Sequence, residues 1–206
     1  MRNKIIYVLL AFTGVMICLL MAYRNSVQKD LLVAKDITID NLTNAKVTLA
    51  PLFEACVMNC GETIDDSKIV LKDTAGHTVE LKDLIKDSCT FIYRYSDRYC
   101  DRCVDYAFHI LNKSKCDKQR VIYIGDCGKR NIFKRQVEDF GLQGVAVDCR
   151  SLGIPAEDMM FPYFLAVDNS LTIRGIYVPN KASYNQNIDS LNLDLMYRRF
   201  VLNDLQ

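Results

Sequence analysis

Histidine and tryptophan are scarce in this chain of 206 residues, which contains two histidines and no tryptophan. So few imidazoles argue against a copper-delivery protein, whose metal site needs a histidine besides its cysteines. The net charge is only +1 and no long basic run occurs, so we do not expect a nucleic-acid partner. The sequence also lacks internal repeats and low-complexity tracts. Its length allows one domain with extensions, or barely two.

An uncharged apolar run, Ile5–Tyr23, occupies the amino-terminal end and is preceded by Arg2 and Lys4. Its length fits a membrane span better than the core of a cleaved signal, and no small-X-small cleavage site precedes Arg24. Positive charge before the span predicts a cytoplasmic N-terminus. We therefore expect residues 1–24 to be a single-pass anchor in the cytoplasmic (inner) membrane, with the remainder in the periplasm or its extracytoplasmic equivalent.

Nine cysteines are present, and eight of them follow the apolar run. Outside the cytoplasm cysteines can form disulfides. Cys56 and Cys60 lie four residues apart in the segment 25–63, which we interpret as a linker or N-terminal extension. Because no histidine lies nearby, a structural bridge or buried thiols are favoured there over copper binding or redox cycling. Cys89 and Cys116 have no assigned partner.

The pair Cys100 and Cys103 has the clearest chemical meaning. Thr90–Tyr95 is β-branched and aromatic, which predicts a buried strand. Apolar residues return at helical spacing from Val104 to Leu111, so the second cysteine lies in the first turn of a helix. Free amide groups and the helix dipole stabilise a thiolate on the first cysteine, and the i, i+3 spacing lets the second close a disulfide. We expect Cys100 to attack and Cys103 to resolve.

Strands and helices alternate on both sides of this motif. The predicted elements are a hairpin at 68–81, the central strand, the Cys-X-X-Cys helix, a strand at 120–125, a helix at 131–140, a strand at 144–148, an antiparallel hairpin at 163–178 and a closing helix. Apolar residues on that last helix form one predicted face: Ile188, Leu191, Leu195, Met196, Phe200 and Leu202. The alternation predicts βαβ units and a mostly parallel sheet.

This order of elements and the cysteine motif resemble the thioredoxin-like superfamily, and within it the membrane-anchored thiol-disulfide oxidoreductases of the redoxin/TlpA type. The resemblance covers about residues 64–206. It implies an α/β fold, a thioredoxin-like three-layer arrangement with a central mixed β-sheet, preceded here by the transmembrane helix. It also implies that Phe161 and Pro162 are joined by a cis peptide bond, which opens the final hairpin and places the backbone beside the disulfide.

Four positions in or near the motif depart from that family. Tyr99 stands where a tryptophan is common, and Asp101 and Arg102 separate the cysteines in place of proline and glycine. We expect Tyr99 to support the site, Arg102 to favour the thiolate and Asp101 to oppose it. Arg94 occupies the position, six residues before Cys100, where thioredoxins have a buried acid.

A buried arginine needs a carboxylate partner. Asp97, Asp105 and Asp126 are the candidates for Arg94, and the sequence does not choose between them. If Arg94 lies close to Cys100, its charge would favour the thiolate as well.

Cys127 and Cys149 each come directly after a predicted parallel strand in the sequence. If the two strands are neighbours, both sulfurs lie at the carboxyl edge of the sheet. A structural disulfide between them is favoured over a second redox pair.

The resulting hypothesis is an extracytoplasmic thiol-disulfide oxidoreductase that acts on exported proteins. It would take electrons from, or pass them to, an unidentified membrane or periplasmic dithiol partner. We expect it to use no cofactor or metal. Whether it reduces, oxidises or isomerises disulfides stays open. One alternative is a non-catalytic thioredoxin-like binding module. A peroxiredoxin-like peroxidase is disfavoured, because the Pro-X3-Thr/Ser-X2-Cys pattern is absent and Tyr93 and Asp97 stand at the positions concerned.

Overall fold

The computed structural model describes residues 2–179 and 186–202, with only part of the side chains in the first helix. The chain forms two compact units, Met1–Val47 and Thr48–Gln206. One helix, α1 (Arg2–Asn59), runs through the first unit and into the second. Among the side chains that are described, no helix has the length and apolarity to cross a membrane. Most side chains of the predicted span Ile5–Tyr23 lie outside that set.

The second unit is built on one sheet of seven strands in the order β2-β1-β5-β4-β3-β6-β7. β3, β4 and β5 run parallel to one another, while β1, β2, β6 and β7 pair antiparallel with their neighbours. The sheet is therefore mixed and the fold is α/β, as predicted, but the expectation of a mostly parallel sheet is wrong, because four of the six strand pairings are antiparallel. The strands are β1 (Leu71–Asp73), β2 (Thr78–Val79), β3 (Cys89–Arg94), β4 (Val121–Gly125), β5 (Val145–Asp148), β6 (Tyr163–Asp168) and β7 (Ile173–Tyr177).

The central position of β3 follows from its composition. All six of its residues are buried, and so are all six of β6, its antiparallel neighbour. Phe91 and Tyr93 belong to the apolar cluster on one face of the sheet, and Ile92 belongs to the cluster on the other. A strand covered on both faces needs a nearly continuous apolar sequence, which is what β3 provides.

Helices cover both faces. The other helices are α2 (Leu81–Leu84), α3 (Asp101–Lys113), α4 (Arg130–Asp139) and α5 (Gln186–Tyr197), with 3₁₀ turns at Asp66–Lys68, Lys118–Arg120 and Pro155–Met159 and a π-helical turn at Arg198–Leu202. Right-handed crossovers from β3 to β4 and from β4 to β5 place α3 and α4 on the same face. Ala107 of α3 and Phe133 of α4 accordingly share one cluster, whereas Ala55 of α1 packs in the opposite cluster.

The closing helix α5 is present, but its predicted apolar face is only partly right, because Met196 is buried and Phe200 packs against the same cluster while the other four residues are exposed. Ile188 and Leu191 are exposed, and the buried side includes Asp189. The reason is a polar pair of contacts, because Tyr106 and Tyr177 each donate a hydroxyl hydrogen bond of 2.5 Å to the carboxylate of Asp189. A buried carboxylate that is satisfied in this way can occupy the inner side of the helix, beside Leu193 and Met196, while Ile188 and Leu191 face solvent.

Candidate active site

Cys100 is the N-cap residue of α3, directly after the loop that leaves β3. The amides of Cys103 and Val104 donate to the carbonyl of Cys100, at 2.8 and 3.1 Å. Cys100 is exposed, whereas only 9% of Cys103 is accessible. The predicted placement of the motif at the start of a helix is confirmed. The arrangement presents one sulfur to solvent and shields the other within the first turn.

Helix α3 is fixed on the sheet by its apolar face and by one polar contact. Val104, Ala107 and Leu111 are buried against the central strand, as their spacing predicts. The Tyr93 hydroxyl, on β3, donates a hydrogen bond of 3.2 Å to the carbonyl of Val104. The first turn of the helix, and with it the cysteine pair, is thereby held at the carboxyl end of β3.

The loop between β3 and Cys100 is anchored by Asp126, which follows β4 and is 6% exposed. One carboxylate oxygen accepts from the Ser96 hydroxyl at 3.1 Å and from Arg98 at 3.0 and 2.6 Å. The Asp126 carbonyl also accepts from the amide of Asp97, at 2.9 Å. The sequence offered one signal for this role, which is that Asp126 stands at the carboxyl end of a strand adjacent to β3.

Arg94 is fully buried, and its ion-pair partner is Glu157, at 2.8 Å. The three aspartates considered from the sequence, Asp97, Asp105 and Asp126, were therefore wrong candidates. The remaining guanidinium donors bind main-chain carbonyls of residues 149 and 150, at 2.7 and 3.0 Å. Residue 94 points to the face opposite α3, where the chain returns from β5, so carboxylates in the loop around β3 do not meet it.

Glu157 lies in the turn Pro155–Met159 and is itself held by hydrogen bonds from the Leu152 amide, at 3.0 Å, and from the Ser151 hydroxyl. Burial lowers the pKa of the Arg94 guanidinium, but the neighbouring Tyr163 and Glu157 outweigh burial, so that the pKa is raised overall. The charge is thus retained in the core. No periodicity marks this turn in the sequence, and sequence reasoning missed Glu157.

The predicted supporting residues have different environments. Tyr99 is buried, and burial raises the pKa of its phenol, with Arg94 opposing the shift. Asp101 and Arg102 are exposed in the first turn of α3. All three lie within two residues of Cys100 in the sequence, and their effect on its thiolate stays a prediction.

Phe161 and Pro162 lie at the same edge of the sheet as the motif, because Tyr163, which follows them, is paired with Arg94 at the end of β3. Phe161 is exposed and Pro162 is buried. The described residues contain no cis peptide bond, so the predicted cis bond between Phe161 and Pro162 is wrong. The trans form is the lower-energy form of an X-Pro bond.

Cys127 and Cys149 are not bonded to each other, which contradicts the predicted disulfide. Their strands are neighbours, but Cys127 packs on the α3 face of the sheet and Cys149 on the opposite face. The Cys127 thiol lies 2.8 Å from the side-chain oxygen of Gln136, and the Cys149 thiol lies 3.2 Å from a main-chain carbonyl. Strands that pair side by side can still direct consecutive side chains to different layers.

The other cysteines of this unit are thiols as well. Cys89 and Cys116 are buried, and burial raises the pKa of each to about 11, while burial and Asp148 raise that of Cys127 to about 12. Such thiols are poor nucleophiles at neutral pH. Cys56 and Cys60 form no structural bridge, and Cys60 is exposed.

A cavity of about 400 Å³ opens beside the loop that precedes Cys100. Its lining carries charges of both signs, from Asp97, Arg98, Asp126, Gly128, Asp148 and Arg150. The cavity is therefore polar and lies beside the loop that leads to Cys100.

No protein-family model and no curated protein matches this chain. Among solved structures, the chain is similar to the peroxidoxin BcpB from Mycobacterium tuberculosis, with 15% identity, coverage of 69% of this chain and 97% of that one, and a TM-score of 0.48. It is also similar to a thiol:disulfide interchange protein from Bacteroides sp., with 16% identity, coverage of 66% and 91%, and a TM-score of 0.44. Both likenesses are distant, so we base the functional proposal on the position of the cysteine pair.

Proposed function

We propose that the protein is a thiol-disulfide oxidoreductase that exchanges disulfides with exported proteins through Cys100 and Cys103. One observation carries the proposal, which is the exposure of Cys100 at the N-cap of α3 with Cys103 shielded three residues later. Amide groups and the dipole at a helix N-terminus lower the pKa of a thiol placed there, so the exposed sulfur has the better position to attack.

The exchange has two steps. The Cys100 thiolate attacks one sulfur of a substrate disulfide, which forms a mixed disulfide and releases one substrate thiolate. The Cys103 thiolate then attacks the Cys100 sulfur, releases the second substrate thiol and leaves the Cys100–Cys103 disulfide. Two electrons pass from the pair to the substrate, and the released sulfurs take up the two thiol protons. Run in reverse, the same steps oxidise a substrate dithiol.

Trapping of the mixed disulfide tests this proposal. In Cys103→Ser the second step is blocked, so covalent complexes with exported proteins should accumulate and dissolve on addition of a thiol reagent. Cys100→Ser should form none and should lose all turnover. If both variants retained the parent's disulfide reductase activity, the proposal that Cys100 and Cys103 catalyse disulfide exchange would be refuted.

The same proposal includes a location. The apolar run Ile5–Tyr23 with Arg2 and Lys4 before it supports a single-pass anchor, an N-terminus in the cytoplasm and a periplasmic or other extracytoplasmic catalytic domain. A dithiol protein in that membrane or compartment would then return the pair to its working redox state. A reporter that is active only after export, fused after residue 60, should be active, and an inactive fusion would overturn this topology.

A non-catalytic binding module is the second candidate, and two observations favour it. Arg94 replaces the acid that serves as proton acceptor in thioredoxins, and the Arg94 guanidinium forms an ion pair with Glu157. The bond before Pro162 is trans, so the backbone beside the motif differs from that implied by the resemblance. Complexes that form equally well with Cys103→Ser and with Cys100→Ser, and without a covalent bond, would favour this alternative.

A further inference from the structure

A second pair of thiols lies at the end of α1, away from the Cys-X-X-Cys motif. Cys56 is partly buried and its thiol lies 3.6 Å from the carbonyl of Ile176, whereas Cys60 is exposed. The Cys60 amide donates to the Cys56 carbonyl at 2.9 Å, so the two residues are one helical turn apart on the same face. Burial and the neighbouring Cys60 thiol raise the pKa of Cys56.

This turn can close into a disulfide only by changing shape. Side chains four residues apart on a helix have Cβ atoms about 5–6 Å apart. A disulfide needs a separation of about 3.5–4.5 Å. Cys60 already lies beyond the last residue of α1, and Gly61 follows it with a φ of +93°. A helix end of this kind yields more readily than a helix interior.

If the two cysteines approach each other, Asn59 is the residue that has to move, because the residues after Cys60 are hydrogen-bonded to the sheet. The Gly61 amide donates to the Ile173 carbonyl, and the Ile173 amide donates to Glu62, both at 2.8 Å. Asn59, which stands between the two cysteines in the sequence, is fully buried. Its side-chain oxygen accepts from the Ala156 amide at 2.9 Å, and its side-chain nitrogen donates to the carbonyl of residue 55 at 2.8 Å.

Ala156 belongs to the turn Pro155–Met159, which also carries Glu157, the partner of buried Arg94. A displacement of Asn59 therefore removes a hydrogen bond from the segment that holds this ion pair. The Ala156 amide is buried, so water cannot replace Asn59 as the acceptor of its hydrogen bond. The turn has to loosen before this amide can find another acceptor.

We propose that Cys56 and Cys60 are a second redox-active pair, whose oxidation by a small-molecule or protein disulfide loosens the turn Pro155–Met159. The exposed Cys60 thiolate attacks the disulfide, forms a mixed disulfide and releases one thiol. The Cys56 thiolate then attacks the Cys60 sulfur and releases the second thiol. Two electrons pass from the pair to the incoming disulfide, which leaves as two thiols with the two protons. The inference does not depend on the role of Cys100.

The test uses the full chain with Cys100→Ser and Cys103→Ser, so that the first pair cannot contribute. Oxidised glutathione is added, free thiols are alkylated, and peptides are identified by mass spectrometry without reduction. We expect a peptide with an internal Cys56–Cys60 bond, formed at least tenfold faster than any oxidation of Cys89 or Cys116. In the same background, Cys56→Ser should stop at a stable glutathione adduct on Cys60.

Amide hydrogen exchange of the same samples tests the coupling. Exchange at Ala156 should be at least tenfold faster in the oxidised chain than in the reduced one, and glutathione should not change it in Cys56→Ser or in Cys60→Ser. A glutathione adduct on Cys60 with no internal bond in the parent background would overturn the second pair. An internal bond with unchanged exchange at Ala156 would overturn the coupling to the turn.

Discussion

Position relative to solvent and to a helix end distinguishes Cys100 from the buried thiols of the same unit. Cys89, Cys116 and Cys127 lie in the core, where burial raises the pKa of each thiol to about 11 or 12. Cys100 lies exposed at the N-terminus of α3. Since the thiolate is the nucleophile, alkylation of the native protein should modify Cys100 and leave the three core thiols unmodified.

Arg94 and Glu157 form a buried ion pair, and removal of one partner should be costly. Arg94→Met leaves the Glu157 carboxylate, which is 14% exposed, without its cation, and removes the Arg94 donors to the carbonyls of residues 149 and 150. We expect the free energy of unfolding to fall by about 3–5 kcal/mol. Urea denaturation measures the change, and the exposed pair Lys68–Asp65 supplies a control, since Lys68→Met should have no measurable effect.

The double variant Arg94→Met with Glu157→Leu distinguishes a charge penalty from a packing defect. It removes the uncompensated carboxylate, so it should recover a large part of the lost stability. Parent-like stability of Arg94→Met alone would contradict the assigned pairing.

Asp148 gives a pH-dependent prediction. Burial and the nearby Asp126 raise the pKa of its carboxyl above the usual value, although its oxygen accepts a hydrogen bond from the Cys127 amide at 3.2 Å. A carboxyl whose pKa is higher in the folded state disfavours folding when it is charged, and this penalty disappears as the pH falls through that raised pKa. Asp148→Asn keeps the acceptor and removes the charge.

We therefore expect Asp148→Asn to raise the free energy of unfolding at pH 7 by no more than about 1 kcal/mol, because the carboxyl is partly solvated. The gain should vanish below pH of about 3.9, where the parent carboxyl is neutral in both states. Denaturation at pH 7 and at pH 3 measures it. A gain that is the same at both values would show that charge is not its cause.

At the level of secondary-structure elements, the site depends on the connection between β3 and α3. The loop is held by Asp126 from the neighbouring strand end, through Ser96 and Arg98. Asp126→Asn weakens the contact with Arg98, and a displacement of even about 1 Å at a reacting group lowers rates strongly. We expect the disulfide exchange rate of Cys100 to fall about tenfold to a hundredfold.

The matched control is Asp97→Asn, in the same loop, where the side chain is exposed and the main-chain amide makes the anchoring bond. That variant should exchange at a rate within about twofold of the parent, since its anchor is unchanged. Equal rates for all three proteins would mean that Asp126 does not position the site.

Much of the sheet could be predicted, because continuous apolar strands and periodic helices carry a local signal. The start of α3 at the motif and the hairpin at β1 and β2 follow from such signals. The buried face of α5 could not be predicted in this way. Asp189 turns inward because the hydroxyls of two tyrosines from other elements donate hydrogen bonds to it. Likewise, whether Cys127 and Cys149 can pair depends on the face each one takes after its strand, which the sequence does not specify.

At the scale of the whole molecule, the two cysteine pairs lie in one compact unit, and the Arg94–Glu157 pair joins β3 to the turn Pro155–Met159 in the same unit. The partner of Arg94 could not be predicted because it is 63 residues away along the chain, in a turn without periodicity. Long-range polar pairing of this kind emerges only when the sheet brings the ends of β3 and β5 together.

The reduction potential of the Cys100–Cys103 pair tests the central claim most directly. It is measured on the full chain with Cys56→Ser and Cys60→Ser, equilibrated in graded thiol–disulfide buffers and trapped by alkylation. We predict one two-electron transition with a midpoint between about −120 and −270 mV, the range of working oxidoreductases. A pair that stays reduced in every buffer, or a disulfide reducible only below about −300 mV, would contradict the account.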